Sequence, residues 1–449
     1  MQNHRQTESG FGATFSVQLK RLTDLLRNSL LARNTFWMMA GHGLRLLVQA
    51  TYFVLIARAL GAEGLGAFMG VVALVNIASP FAGLGIGNLL IKNVSRNAGL
   101  FACCWGNALL VTFVSASVLF VLVLAFWYLV LAASVPGSLV LVVAVSDLFF
   151  GRLVDVSGQA YMAFQRLNRT AQFQVMLSSL RFAAALLFLT FSPGHRPVDW
   201  SLYYLGGTVI TALIAAALVS CELGSPKLAL ERIRPEMKEG FYFATGLSAQ
   251  GIYNDIDKTM LVRLSTLGAA GIYAAAYRLI DVAFLPVRSL LWAAYARFFQ
   301  HGVAGLQGTL GFAKRLLPLA GGYGLAVGAG LFIAAPLVPL VLGADYGETV
   351  EAVRWLALLP FLKAVHDFAA DSLTGAGFQG QRSCVQVLVA VTNVGLNFWL
   401  IPIYSWRGAA WASLLSDGLL AVALWVMAWC LARRTQGQPA GNSPPLANP

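Results

Sequence analysis

Residues 267–299 read LGAAGIYAAAYRLIDVAFLPVRSLLWAAYARFF. About 20 mostly apolar residues in a helix are enough to cross the hydrocarbon core of a bilayer, so this stretch has the length of a membrane span. It nevertheless carries Arg278, Asp281 and Arg288. A charge near the bilayer centre costs roughly 2.5 to more than 10 kcal/mol, so these side chains are expected to face a bundle interior or an aqueous path. The stretch opens with Leu267-Gly268-Ala269-x-Gly271, a phrase already present as Leu60-Gly61-Ala62-x-Gly64. Two related halves are implied.

Of the 449 residues, 58% are hydrophobic and 11% charged, and mean hydropathy is +0.70. Soluble domains have about 25% charged residues, so the composition is that of an integral membrane protein. The first thirty-odd residues read without a signal peptide. From Val17 the run VQLKRLTDLLRNSLLARN places Leu19, Leu22, Leu26 and Leu30 on one helical face. It fits an interfacial helix lying on the membrane or a generic amphipathic leader. The five cysteines form no CxxC pair and have no His spacing suited to zinc, so no metal, disulfide framework or cofactor is expected.

Twelve apolar spans follow, at 36–58, 64–87, 104–132, 138–165, 172–192, 200–220, 240–264, 269–297, 316–342, 350–378, 383–403 and 407–432. With both termini inside, nineteen of the 31 Lys and Arg fall in cytoplasmic segments and four in outer loops, in agreement with the concentration of positive charge on the cytoplasmic side. The eight left in or near spans match eight Asp, so the net charge of +12 follows from topology and gives no support to nucleic-acid binding. The expected fold is an all-α integral membrane protein with twelve transmembrane helices in two six-helix lobes. The lobes are related by a pseudo-two-fold along the membrane normal, since six spans return the chain to its starting side. The expected divisions are a cytoplasmic or interfacial segment 1–35, an N-terminal lobe 36–220, an inter-lobe loop 221–239, a C-terminal lobe 240–432 and a disordered tail 433–449. Pro80 and Pro286 stand nineteen and eighteen residues after Gly61 and Gly268, so both second helices are expected to bend at similar depth.

The charges inside the spans form faces. His42, Arg45, Gln49 and Tyr52 follow at intervals of 3, 4 and 3, which aligns them on one side of the first span. Arg152, Asp155 and Gln159 share a face of the fourth, where Arg152 and Asp155 can form a static pair or serve function; Asp147 is offset from them. Arg181, on the fifth, has no acid nearby in sequence and is a candidate for an external anion. Gln250, Asn254, Asp257 and Lys258 cluster on the seventh, beside Asp255. Arg278, Asp281, Arg288 and Trp292 share a flank of the eighth. On the tenth, Lys363, His366, Asp367 and Asp371 follow as i, i+3, i+4 and i+8, and Asp417 is the lone acid of the twelfth. Arg and Lys in a low-dielectric cavity suit a phosphate or pyrophosphate. Acids and His there suit proton or Na⁺ movement, with Asp147, Asp155, Asp257, Asp281, His366, Asp367 and Asp371 as coupling candidates. The competing reading is that most of these charges pair internally and fix helix register. No HExxH, GxSxG, Walker or Gly-rich nucleotide sequence is present, so no enzyme chemistry is expected.

Three runs carry a resemblance: ARALGAEGLGAF at 57–68, AGLGIGNLLIKNVSR at 82–96 and DKTMLVRLSTLGAAGIYAAAYRL at 257–279. They look like the polysaccharide (Wzx-type) flippases of the multidrug/oligosaccharidyl-lipid/polysaccharide exporter superfamily. That resemblance implies two lobes around a central cavity, and movement of undecaprenyl-pyrophosphate-linked oligosaccharide to the periplasmic leaflet of a bacterial inner membrane by alternating access. It implies a lipid-linked oligosaccharide and membrane lipids as binding partners, and polysaccharide polymerase and glycosyltransferases as neighbours. Cavity cations are expected to hold the pyrophosphate and sugar acids: Arg45, Arg278 and Arg288 first, then Arg181, Lys258 and Lys363, with Gln49, Tyr52 and Trp292 beside them. The alternatives are a cation-coupled drug exporter of the same superfamily and, from another class, a membrane glycosyltransferase or polysaccharide polymerase. The short outer loops argue against the last two.

Overall fold

In the computed structural model residues 30–232, 248 and 251–436 are described, with the side chains of residues 30–47, 96, 167, 232, 292, 293, 296 and 434–436 outside that description. All regular structure among the described residues is helical. The first helix, α1 (Leu30–Ala78), is interrupted at Gly61, whose φ of 64° and ψ of 179° are not helical and divide α1 into two passes. A glycine tolerates this conformation because it has no Cβ. Beyond α1 come a 3-10 turn at Ser79–Phe81 and α2 (Ile86–Arg96), which complete the second pass.

The remaining passes are α3 (Phe101–Phe126); α4 (Gly137–Ala144) and α5 (Arg152–Ala163), joined by a π-helical segment; α6 (Leu167–Phe191); and α7 (Pro197–Glu222). In the second half they are α8 (251–264); α9 (Leu267–Gly302); α10 (Gly305–Ala334) with α11 (Val338–Leu342); α12 (Thr349–Leu356) with α13 (Leu359–Gly375); α14 (Gln379–Tyr404); and α15 (Trp406–Gln436). Eight described segments are long and apolar enough to cross a membrane. The passes built from α4–α5 and α12–α13 are interrupted and carry several charges, which is why apolarity alone passes over them; α8 is described only from residue 251. The interfacial helix expected from Val17 lies largely outside the described residues. Leu30 already begins α1, ahead of the expected boundary at 36, and α15 runs to Gln436, past the expected end at 432.

The two second passes differ. In the first half the helix breaks: Gly83, Leu84 and Gly85 all have positive φ. The break is held from outside, since Arg152 Nε donates to the Ala82 carbonyl at 2.6 Å and the Gly83 amide donates to Ser115 Oγ at 2.6 Å. In the second half α9 stays helical through Pro286. The proline is common to both; the three left-handed residues that end a helix are present in one.

The repeated LGAxG phrases meet each other. A Cβ on Gly66 would stand 1.9 Å from the Leu267 carbonyl oxygen, and a Cβ on Gly271 would stand 1.9 Å from that of Ala62. This reciprocal contact is what two-fold-related corners produce, and only glycine permits backbones to approach so closely. Further along, Thr259 Oγ1 donates to the Gly70 carbonyl at 3.0 Å and Ser248 Oγ to that of Ile77 at 2.8 Å. At the corner end itself, Arg58 donates to the carbonyls of Val341 and Leu340, and Tyr346 to that of Ala57 at 2.9 Å. The halves are thus sealed together at the corner end. At the opposite end, Lys227 N donates to the Ala102 carbonyl at 2.8 Å and Asn107 bonds both backbone groups of Ala229, which moors the start of the chain between the halves on α3.

Candidate functional site

Between the halves lies a cavity of about 320 Å³, walled by α1, α6, α7, α8 and α9. Its charged wall residues are Arg181, Lys258 and Arg278 against Asp255 and Asp281. Its rings include Tyr52, Phe53, Phe68, Trp200, Tyr204 and Tyr277, and Gln49 is a further wall residue. The 3.6-residue repeat explains the α1 contribution, since Gln49, Tyr52, Phe53 and Ile56 are spaced to fall on one face. Arg45 lies one turn before Gln49 on that face; its side chain, like that of Trp292, is outside the description.

The cations differ in how they are held. Arg181 Nη2 stands 3.4 Å from Asp147 Oδ1 and 3.2 Å from Thr208 Oγ1, with its guanidinium 3.9 Å from the centre of the Tyr204 ring. Asp147 is itself fixed by Ser146 Oγ at 3.1 Å and by Tyr204 OH at 3.1 Å. The sequence shows no acid near Arg181 because its partner lies 34 residues earlier, on another helix; the fold supplies the pairing. Lys258 Nζ is 2.6 Å from Asp255 Oδ1 and donates to the Asn254 carbonyl at 2.7 Å. Lys363, behind the wall, donates to Tyr277 OH at 2.9 Å and lies 3.6 Å from Asp281 Oδ1. Arg288 Nη2 is 3.9 Å from the same oxygen.

Arg278 stands apart from these. It makes no ion pair within 4 Å with a described residue, and its guanidinium lies 5.8 Å from the Phe53 ring centre; like that of Arg181, its Nε is buried without a hydrogen-bond partner. A buried donor without an acceptor costs about 1–3 kcal/mol, so it marks a place where a ligand acceptor would be favourable.

The other expected residues lie off the cavity. Asp257 is buried and accepts from Tyr273 OH, from Ser413 Oγ at 3.2 Å and from the Lys258 amide at 2.7 Å. Asp155 pairs with Arg152 at 3.6 Å, while Arg152 also holds the break in the second pass. His366 lies between two acids, with Nδ1 3.2 Å from Asp367 and Nε2 3.4 Å from Asp417. Asp371 is 3.6 Å from Arg382. Among the described residues no group of three His, Cys, Asp or Glu side chains is arranged to hold a metal ion.

Charge is therefore sorted in space. Three acids of the second half, Asp367, Asp371 and Asp417, gather around His366 and Arg382, and the cavity wall keeps three cations against two carboxylates. The sequence total of zero for the membrane layer conceals this separation. Several rings of the wall, Tyr204, Tyr277 and Trp200 among them, are also absent from the sequence-derived site. An aromatic at helical spacing in an apolar span carries no signal that separates wall from core.

A family model described as polysaccharide biosynthesis protein matches residues 31–298. No curated protein matches the chain. Among solved structures it is similar to an inward-facing multidrug resistance MATE family transporter of the MOP superfamily, with 16% identity and a TM-score of 0.69 over 89% of this chain and 96% of that one. An outward-facing conformation of a multidrug resistance MATE family transporter gives 16% identity and a TM-score of 0.59 over 89% and 95%. A MOP superfamily transporter from Pyrococcus furiosus, whose binding pocket is described as having reverse polarity, gives 17% and 0.62 over 89% and 95%. Identities this low speak to the fold, and the family rests on the match over 31–298, more than half of the chain. The chain belongs to the polysaccharide biosynthesis protein family and has the fold of the MOP-superfamily transporters.

Proposed function

We propose that the protein is a flippase that carries an undecaprenyl-pyrophosphate-linked oligosaccharide across the bacterial inner membrane by alternating access, for export of a surface or secreted polysaccharide. The observation that carries this reading is Arg278, a cavity cation with a buried donor and no described carboxylate partner. A guanidinium binds a phosphate through paired charge-assisted hydrogen bonds, which a neutral or cationic cargo does not need. Arg181 and Lys258 share the wall with it as paired charges, and Lys363 and Arg288 pair with Asp281 of the same wall; Arg45, whose side chain lies outside the description, is a further candidate cation of α1. The rings and Gln49 suit a sugar, which presents apolar faces and hydroxyls together.

The lobes 36–220 and 240–432 are the moving bodies in this reading, with the corner end outward and both termini in the cytoplasm. Because the corners are joined backbone to backbone, loading is from the cytoplasmic side. A volume of about 320 Å³ is at the lower end of ligand pockets, about 300–1,000 Å³, so the walls part further to admit a sugar chain. His366, with Asp367 and Asp417, is the titratable group through which a proton gradient would act; Asp147, Asp155, Asp257, Asp281 and Asp371 are held by cations or hydroxyls in this conformation.

Replacing Arg278 with Gln is expected to lower polysaccharide export about tenfold or more, since a hydrogen bond to a charged group contributes about 1.5–3 kcal/mol. Protein abundance in the membrane should stay level. Normal export from the R278Q strain would overturn the reading. A cation-coupled drug exporter is the second reading, favoured by the fold and by Asp255 and Asp281 in an aromatic wall. There the same substitution should raise efflux of a cationic dye, because it removes a repelling charge.

A further inference from the structure

The basic end of the bundle carries a second pocket, of about 320 Å³, between the start of α10 and the end of α15. It is lined by Gln307, Leu310, Gly311 and Lys314 on one side and Trp429 and Arg433 on the other, none of which lines the central cavity. The Arg433 guanidinium lies 3.5 Å from the Trp429 ring centre. No acid occurs in α10, and the one acid of α15, Asp417, stands sixteen residues from Arg433, about 24 Å along the helix. Neither Lys314 nor Arg433 makes an ion pair with a described residue. Concentration of basic residues on one side of a membrane explains why they are there; it does not explain why two helices aim them into one cleft.

The surface beside the cleft supplies the other half of a lipid. On α15, Val422, Val426 and Trp429 precede Arg433 at spacings of 4, 3 and 4, so they lie in one stripe that ends at the charge. All three apolar side chains are more than half exposed: Val422 61%, Val426 53% and Trp429 54%. A Trp at the level where apolar surface gives way to charge is the pattern of a membrane–water interface. The ligand that fits is a phosphate at headgroup depth with acyl chains running along α15.

We propose that this cleft binds the headgroup of an anionic membrane phospholipid, with Lys314 and Arg433 on its phosphate and Trp429 at the glycerol level. The bound lipid staples α10 to α15 at the basic end, and the site is separate from the one that takes the cargo.

The test is a titration of the purified full-length protein with phosphatidylglycerol, followed by native mass spectrometry, with phosphatidylcholine and inorganic phosphate in parallel. Each basic residue near an anionic headgroup contributes about 1 kcal/mol. The Lys314→Gln, Arg433→Gln double variant should therefore weaken the tightest phosphatidylglycerol about thirtyfold. Gly311→Leu closes the cleft without removing a charge, and nothing lies within 4 Å of an added Cβ there. It should also abolish the tight class while the protein remains folded. R278Q should leave that binding unchanged. Retention of the tight class in both cleft variants would overturn the proposal. So would equal binding of phosphatidylcholine, or displacement of the lipid by millimolar inorganic phosphate, which would identify a free-anion site.

Discussion

Arg181 and Arg278 show how two arginines in one cavity wall acquire different roles. Arg181 is tied to Asp147, Thr208 and Tyr204, so removing either partner of the ion pair leaves a buried charge uncompensated, at a cost of about 3–5 kcal/mol. Removing both should cost much less than the sum. Thermal unfolding in detergent of R181Q, Asp147→Asn and the double variant measures this coupling, and additive losses would show that the pair is not formed. Arg278 should behave in the opposite way, with stability changed by no more than about 1 kcal/mol when it becomes Gln, because the nearby Asp281 is already held by Lys363 and Arg288. Glycine at the crossing is as demanding as the charges: Gly66→Ala places a methyl group 1.9 Å from a backbone oxygen. It should destabilise the folded protein by about 2 kcal/mol or more, read as a lower unfolding temperature.

The second pass is the element whose behaviour the sequence described least well. Pro80 and Pro286 suggest equal bends, yet the first-half pass is broken over Ser79–Gly85 while α9 continues as a helix. Three consecutive positive φ angles at Gly83, Leu84 and Gly85 make the difference, and Leu84 adopts its conformation because the backbone on either side is tethered by Arg152 and Ser115. Arg152→Gln should cost about 1–3 kcal/mol by releasing the Ala82 carbonyl. Asp155→Asn should cost at most about 1 kcal/mol, since that carboxylate is 47% exposed and its pair is screened. A reversed order in unfolding temperatures would mean that Arg152 serves its neighbouring acid rather than the break.

For the whole molecule, orientation and access follow from where the halves touch. The corners are sealed, with the basic loops at the far end, so the proposed topology places Arg263 on the periplasmic side. An Arg263→Cys variant in otherwise cysteine-free protein should react with a membrane-impermeant maleimide added to intact cells. Protection there, with labelling only after lysis, would invert the orientation. The five native cysteines are all unpaired thiols, so their removal disturbs no disulfide.

Membrane class, the helical passes and the existence of two halves were determined by local chemistry: apolar length, the asymmetry of Lys and Arg, and a repeated glycine phrase. These are properties of a segment and survive without knowledge of its neighbours. The sorting of charge was decided by tertiary structure alone. Arg181 finds Asp147 across 34 residues, Lys363 finds Asp281 across 82, and His366 finds Asp417 across 51, while Arg278 makes no ion pair within 4 Å with a described carboxylate. Coulomb interaction depends on distance in space, and helices packed side by side make distant residues neighbours. The sequence therefore listed the charges in the membrane, and the packing of the helices determined which of them remain available to a ligand.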